Sequence, residues 1–140
     1  MAKGTPLTDA DRWDWLVLLR QNAVEKLNNA ASTGVVLTCS ALKRKYRDVI
    51  RVAAYFDHNV EVHFVYLQAD EEVLLQRVKA RQGHYMKDNL VHSQFTSLEE
   101  PKEDETDCLI VDVNNRSLPA VQRDALRTVQ EVLAADSRRQ

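Results

Sequence analysis

The feature that most constrains this chain is the alternation of short β-branched runs with longer segments of helical period. Val35–Cys39 and Cys108–Val113 are short apolar runs that suit buried strands, and Val60–Leu67, rich in β-branched and aromatic residues, reads as another strand. Around and between them, Leu16, Leu19, Ala23 and Leu27, then Leu42, Tyr46, Ile50 and Ala53, recur at the spacing of one helix face. Strands separated by helices of ten or more residues pair in parallel through crossovers, so a layered α/β domain is expected. In such sheets ligands bind beyond the carboxyl ends of the strands, which directs attention to the residues after Cys39, Leu67 and Val113.

Local chemistry sharpens these limits. Thr8 with Asp11 three residues on predicts a capped helix from about Asp9 to Ala31, broken by Ser32, Thr33 and Gly34. Asp70, followed by Glu71 and Glu72, predicts the N-terminus of a helix running to about Arg81, with Gly83 as its stop. Residues 84–107 read as irregular and polar, with a short helix at about Asp88–Phe95, and Asp104, Glu105 and Asp107 read most simply as a solvated acidic loop. Ser117 and Pro119 open a last helix through Val121, Ala125, Val129, Val132 and Leu133, ending in a frayed tail from Asp136.

Composition narrows the function classes. A chain of 140 residues is one domain, residues 1–140, by size, and 44% hydrophobic with 29% charged residues is ordinary for a compact protein. A net charge of -2 with interspersed signs argues against nucleic acid as a partner. No apolar stretch approaches the roughly 20 residues of a membrane span. Met1–Pro6 lacks an apolar secretory core, so a cytoplasmic location is expected. Cys39 and Cys108 form neither a CxxC nor a Cys/His pattern, and no metal ligand is assigned.

Two groups of residues could carry chemistry. Ser40, Lys43, Arg44, Lys45 and Arg47 place a cationic cluster where a helix follows a strand end, which suits an anion; a solvated helix face accounts for the same residues. Arg77 and Arg81 lie four apart on one helix and suit a phosphate clamp, although Asp70 or Glu72 could pair with them on the surface. His84 reads as a ligand contact or as a helix cap, and Gln94 as a hydroxyl contact.

The wording of the motifs goes further. GTPLTDADRWDWL, CSALKRKYRDVIR, FVYL, RVKARQGHYM, SQF, LEEP, DETD and VDV stand in the order found in gluconate kinases, which the chain resembles from Gly4 to about Asn114. Shikimate and adenylate kinases share that fold but not this set of motifs. The resemblance implies a three-layer parallel sheet of the nucleoside/shikimate kinase-like P-loop type and transfer of the ATP γ-phosphoryl group to gluconate. It places Arg12, Ser40, Lys43 and Arg47 near the sugar acid, with His84 and Gln94 closing the site. Arg77 and Arg81 would act on the phosphates at the start of a lid spanning residues 77–107, and Asn114 would open the segment beneath the adenine. Lys43, Arg77 and Arg81 are the expected catalytic cations.

The resemblance also implies what these residues omit. The family's first two strands and its G-x-x-G-x-G-K-[ST] loop have no counterpart, since Gly4, Gly34 and Gly83 lie in no such pattern. That loop grips ATP and its hydroxyl holds Mg²⁺, so little or no kinase activity is expected from these residues alone. A sheet missing a central strand would leave exposed edges that favour self-association, for example as a homodimer. A non-catalytic sugar-acid or phosphate-binding module, regulatory in role, is the competing reading.

Overall fold

A computed structural model describes residues 8–29, 33–81 and 88–139. Its elements are α1 (Asp9–Asn29), α2 (Arg44–Phe56), β1 (Phe64–Gln68), α3 (Glu71–Ala80), α4 (Asp88–Ser97), β2 (Cys108–Asp112) and α5 (Leu118–Ser137). They fall into two compact units, α1, α2 and α4 in the first and β1, α3, β2 and α5 in the second.

In the helical unit, α1 begins with a reciprocal cap. Thr8 Oγ1 accepts from the Asp11 N–H at 3.2 Å, and Asp11 Oδ2 accepts from the Thr8 N–H at 2.9 Å. Two end-of-helix donors are thereby satisfied, as the Thr8/Asp11 spacing predicts. Leu16 of α1, Tyr46, Val49 and Ile50 of α2, and Leu90 and Val91 of α4 are buried. Helix α1 packs on α2, where Arg20 Nη1 donates to the Val49 carbonyl at 2.8 Å.

In the second unit, β1 and β2 pair in parallel with Phe64 opposite Cys108 and Gln68 opposite Asp112. Ala69, Val111, Val113 and Val121 form the core, with Leu74 and Ala125 packed against it. The strand contributors lie at the strand ends on one face, where α5 packs on β2 and Leu74 of α3 sits beside the cluster. Ser117 caps α5 by accepting from the Ala120 N–H at 3.3 Å, and Pro119 sits in its first turn.

Several expectations need correction. Val35–Cys39 is in no ladder among the described residues, and Val36 is 93% exposed. A β-branched run becomes a strand only when a neighbour offers backbone partners, and no described segment does so here. The sheet therefore has two strands where three runs predict three. Strand β1 begins at Phe64 rather than Val60. Helix α5 continues to Ser137, two residues into the predicted tail, with Asp136 Oδ2 meeting His63 Nε2 at 3.0 Å. Glu105 is only 5% exposed rather than solvated. Asp70 stands at the α3 N-cap without a side-chain capping bond. Gly83 and the predicted helix end at Ala31 lie outside the described residues.

Candidate functional site: an anion cluster and a strand-end platform

The helical unit gathers the first group of candidates around one phenol. Tyr46, 3% exposed, has the Arg12 guanidinium carbon 5.7 Å, the Lys43 Nζ 5.9 Å and the Lys45 Nζ 5.8 Å from its ring centre. Each distance is within the range of a cation–π contact. The phenol hydroxyl donates to Asp9 Oδ1, Lys45 donates to Asp9 Oδ2, and Lys43 Nζ lies 3.5 Å from Asp9 Oδ1. One carboxylate thus sits among two ammonium groups and a phenol.

The charges respond accordingly. The hydrogen bonds from Lys45 and Tyr46, with the nearby positive charges, hold the Asp9 carboxyl at about 2. Burial, together with the hydrogen bond the phenol donates to Asp9, pushes Tyr46 up to about 12. Asp9 is therefore ionised and Tyr46 protonated at neutral pH.

Arg47 is 4% exposed, and its Nη1 donates to the carbonyls of Ala41 at 3.2 Å and Leu42 at 3.4 Å. Ala41 has φ 26°, a left-handed conformation that costs a residue with a side chain. Arg47 thus braces a strained turn from inside, holding Ser40 at the surface and Lys43 at the N-cap of α2. Glu99 fastens the same turn, since its N–H donates to the Leu42 carbonyl at 2.8 Å and its Oε2 accepts from the Arg44 N–H at 3.0 Å. An anion at a helix N-terminus is favoured by the macrodipole. Gln94 is half-buried on α4.

The second unit holds the other candidates at the carboxyl ends of its strands. Asn114 Oδ1 accepts from the Asp70 N–H at 2.8 Å, tying the end of β1 to the end of β2. Arg77 Nη2 donates to the Val113 carbonyl at 2.9 Å. Asn115 has φ 52°, a left-handed turn that asparagine tolerates better than most residues. Arg81 is exposed at the C-cap of α3, and His84 lies outside the described residues.

The structure therefore brings Arg12 and Lys43 together with Lys45 and Tyr46, turns Arg47 inward, and fixes Arg77 and Asn114 beside Val113. Sequence reasoning placed Lys45 in the cationic cluster but missed Asp9 and Glu99 as members of the site and the central place of the Tyr46 ring. Asp9 stands in the DxDR segment and Glu99 in LEEP, so their motifs were visible while their pairing across helices was not.

Comparison with known proteins gives these residues a context. No family model matches the chain. It is 42% identical over 134 residues to the probable gluconokinase of Saccharomyces cerevisiae, covering 93% of this chain and 66% of that protein. It is 40% identical over 116 residues to the thermoresistant gluconokinase of Escherichia coli, of which it spans 61%. The probable gluconokinase of Mus musculus is 34% identical over 134 residues, with 70% of its length covered. Among solved structures, a gluconokinase from Sinorhizobium meliloti matches with a TM-score of 0.76 and 38% identity, over 94% of this chain and 69% of that one. The chain thus spans less than two thirds of the length of several relatives that it matches. At this identity, over most of its own residues and in the same fold, the chain belongs to the gluconokinase family.

Proposed function

We propose that this chain carries the sugar-acid and lid portions of an ATP-dependent kinase that converts D-gluconate to 6-phospho-D-gluconate. The observation that carries the reading is the gathering of Arg12, Lys43 and Lys45 about Tyr46, at the turn held by Arg47 and Glu99, in a member of this family. Those cations meet the carboxylate of the sugar acid, with Ser40 and Gln94 as partners for its hydroxyls. The braced turn limits the reorganisation needed when the substrate arrives.

Arg77 and Arg81 act on the phosphates, within a lid of residues 77–107 that also contains His84 and excludes water as it closes. The bond from Arg77 to Val113 fixes its guanidinium at the carboxyl end of β2, where parallel sheets take ligands. Asn114 begins the segment proposed to support the adenine. ATP brings Mg²⁺, for which we assign no ligand among the described residues. The phosphate-loop pattern is not among these 140 residues, so the main grip on ATP is assigned to a segment outside them. In that reading the complete sheet has three layers and two further strands, the protein is cytoplasmic, and a homodimer is one way to cover an exposed strand edge. No helix among the described residues is long and apolar enough to cross a membrane.

The test is a coupled assay of ATP-dependent 6-phosphogluconate formation by a version extended with a family-like phosphate-loop segment. Turnover is expected there and little or none from the 140 residues alone. A well-folded extended protein that ignores gluconate would overturn the reading. If the 140 residues fold and bind gluconate while the extended protein stays inactive, the regulatory alternative takes its place.

A further inference from the structure

The cation cluster already holds an anion of its own. Asp9 Oδ1 accepts from Tyr46 and lies 3.5 Å from Lys43, while Oδ2 accepts from Lys45. The Asp9 side chain is 46% exposed and that of Lys45 49%, so the assembly opens to solvent, whereas Lys43 at 28% is more enclosed. Lys43, Lys45 and the Tyr46 hydroxyl, which would otherwise draw a ligand carboxylate or phosphate to this place, are turned toward the Asp9 carboxylate. A second anion arriving beside it would meet like-charge repulsion unless Asp9 moved away.

We propose that the Asp9 carboxylate is a built-in competitor, and that an anionic ligand, a carboxylate or a phosphate, takes its place on Lys43 and Lys45. The proposal deepens the sugar-acid reading and rests on it for the identity of the natural ligand, though not for the exchange itself. Asp9 stands at the first position of α1, and its release frees one short side chain while leaving the partners of the Thr8–Asp11 cap that flanks it unchanged. The exchange replaces one anion by another on the same cations, which keeps them paired in both states. It raises the affinity threshold, so a ligand must supply more than one weak charge contact to win. A merely positioning role for Asp9 predicts the opposite sign, because removing a residue that orients Lys43 and Lys45 weakens ligand binding.

The experiment is calorimetric titration of the full 140-residue chain with inorganic phosphate and, separately, with gluconate, at low ionic strength and neutral pH. It compares wild type, Asp9→Asn and Asp14→Asn. Asp14 is exposed on the same helix, so its variant makes the same change of net charge away from the cluster. Asp9→Asn is expected to tighten phosphate binding about fivefold to tenfold, the scale of one or two displaced surface ion pairs, with Asp14→Asn within about twofold of wild type. Phosphate binding to Asp9→Asn that is unchanged, weaker or undetectable overturns the proposal. Tighter phosphate binding with no response to gluconate from any variant upholds the exchange and removes the gluconate reading. If Asp9→Asn fails to fold, carbon-detected NMR of wild type titrated with phosphate decides: the Asp9 carboxyl resonance should move together with the Lys45 side-chain signals. A titration that leaves Asp9 in place overturns the exchange.

Discussion

The two compact units hold their candidate residues by different means. In the helical unit the candidates are set by side chains meeting across elements, with Asp9 of α1 reaching Lys43, Lys45 and Tyr46 at the start of α2, and Glu99 capping that start. In the sheet unit they are set by main chain, with Arg77 on the Val113 carbonyl and Asn114 on the Asp70 N–H. Side-chain ion pairs near solvent are weak, salt-sensitive and exchangeable. Bonds to backbone at strand ends persist as long as the strands do. The first arrangement suits a site whose charges must be handed to a ligand, and the second suits a platform that only has to stay still.

The largest effects should come from breaking either unit at its core. Leu16 is 2% exposed on α1, and Leu16→Ala should cost about 2–5 kcal/mol through lost burial and an unfilled cavity. Val111 is 3% exposed in the sheet unit, and Val111→Ala, which removes fewer atoms, should cost about 2 kcal/mol. Urea unfolding followed by tryptophan fluorescence reports the helical unit, because Trp13 and Trp15 both lie in α1; far-UV circular dichroism reports both units. If the units are energetically separate, Val111→Ala should shift the circular dichroism transition and leave the fluorescence midpoint in place. A single shared transition moved equally by both variants would break the comparison.

A smaller effect is expected at the helix cap of the sheet unit. Ser117→Ala removes the acceptor of the Ala120 N–H and should cost about 1 kcal/mol, with Ser117→Gly milder by several tenths. The midpoint of thermal unfolding reads this directly. An unchanged midpoint would mean that water replaces the cap at no cost, and that α5 is held by Val121 and Ala125 with its Asp124 and Asp136 ion pairs.

What the sequence disclosed follows the same division. Features that depend on near neighbours in the chain were legible: the Thr8 and Asp11 cap, the Ser117 cap with Pro119, the periods of α2 and α5, and the apolar run of β2. Val35–Cys39 was misjudged because strand formation needs a partner, and the composition of a run does not say whether one is present. The motifs located Arg12, Lys43 and Arg47, yet their wording does not tell that Arg47 turns inward to Ala41 and Leu42. Nor could spacing tell that Asp9, thirty-seven positions before Tyr46, would share its hydroxyl.

The smallest effect expected is on the pH dependence of stability, and it separates the units most cleanly because the largest shifts lie in the helical one. The Asp9 carboxyl is held at about 2, below its ordinary value of 3.8, first by Lys45 and then by Tyr46. A carboxyl lowered in the folded state contributes stability that is present above its unfolded value and is lost as pH falls through the folded one, here between about 4 and 2. Tyr46 is raised from 10.0 to about 12, chiefly by burial and then by Asp9. Its contribution is complete below about 10 and is lost as pH rises toward about 12, because the unfolded chain releases the phenolic proton first. Asp9→Asn should therefore flatten the acid limb between about pH 4 and 2 and, by removing the Asp9 hydrogen bond and charge that act on Tyr46 beside burial, bring its ionisation down toward 10. Ultraviolet titration of the tyrosines and urea midpoints across pH measure the two limbs. An acid limb left intact by Asp9→Asn would assign that loss to other carboxylates. Asp124, paired with Arg116 at 2.6 Å in the sheet unit and lowered first by that bond, is the next to replace.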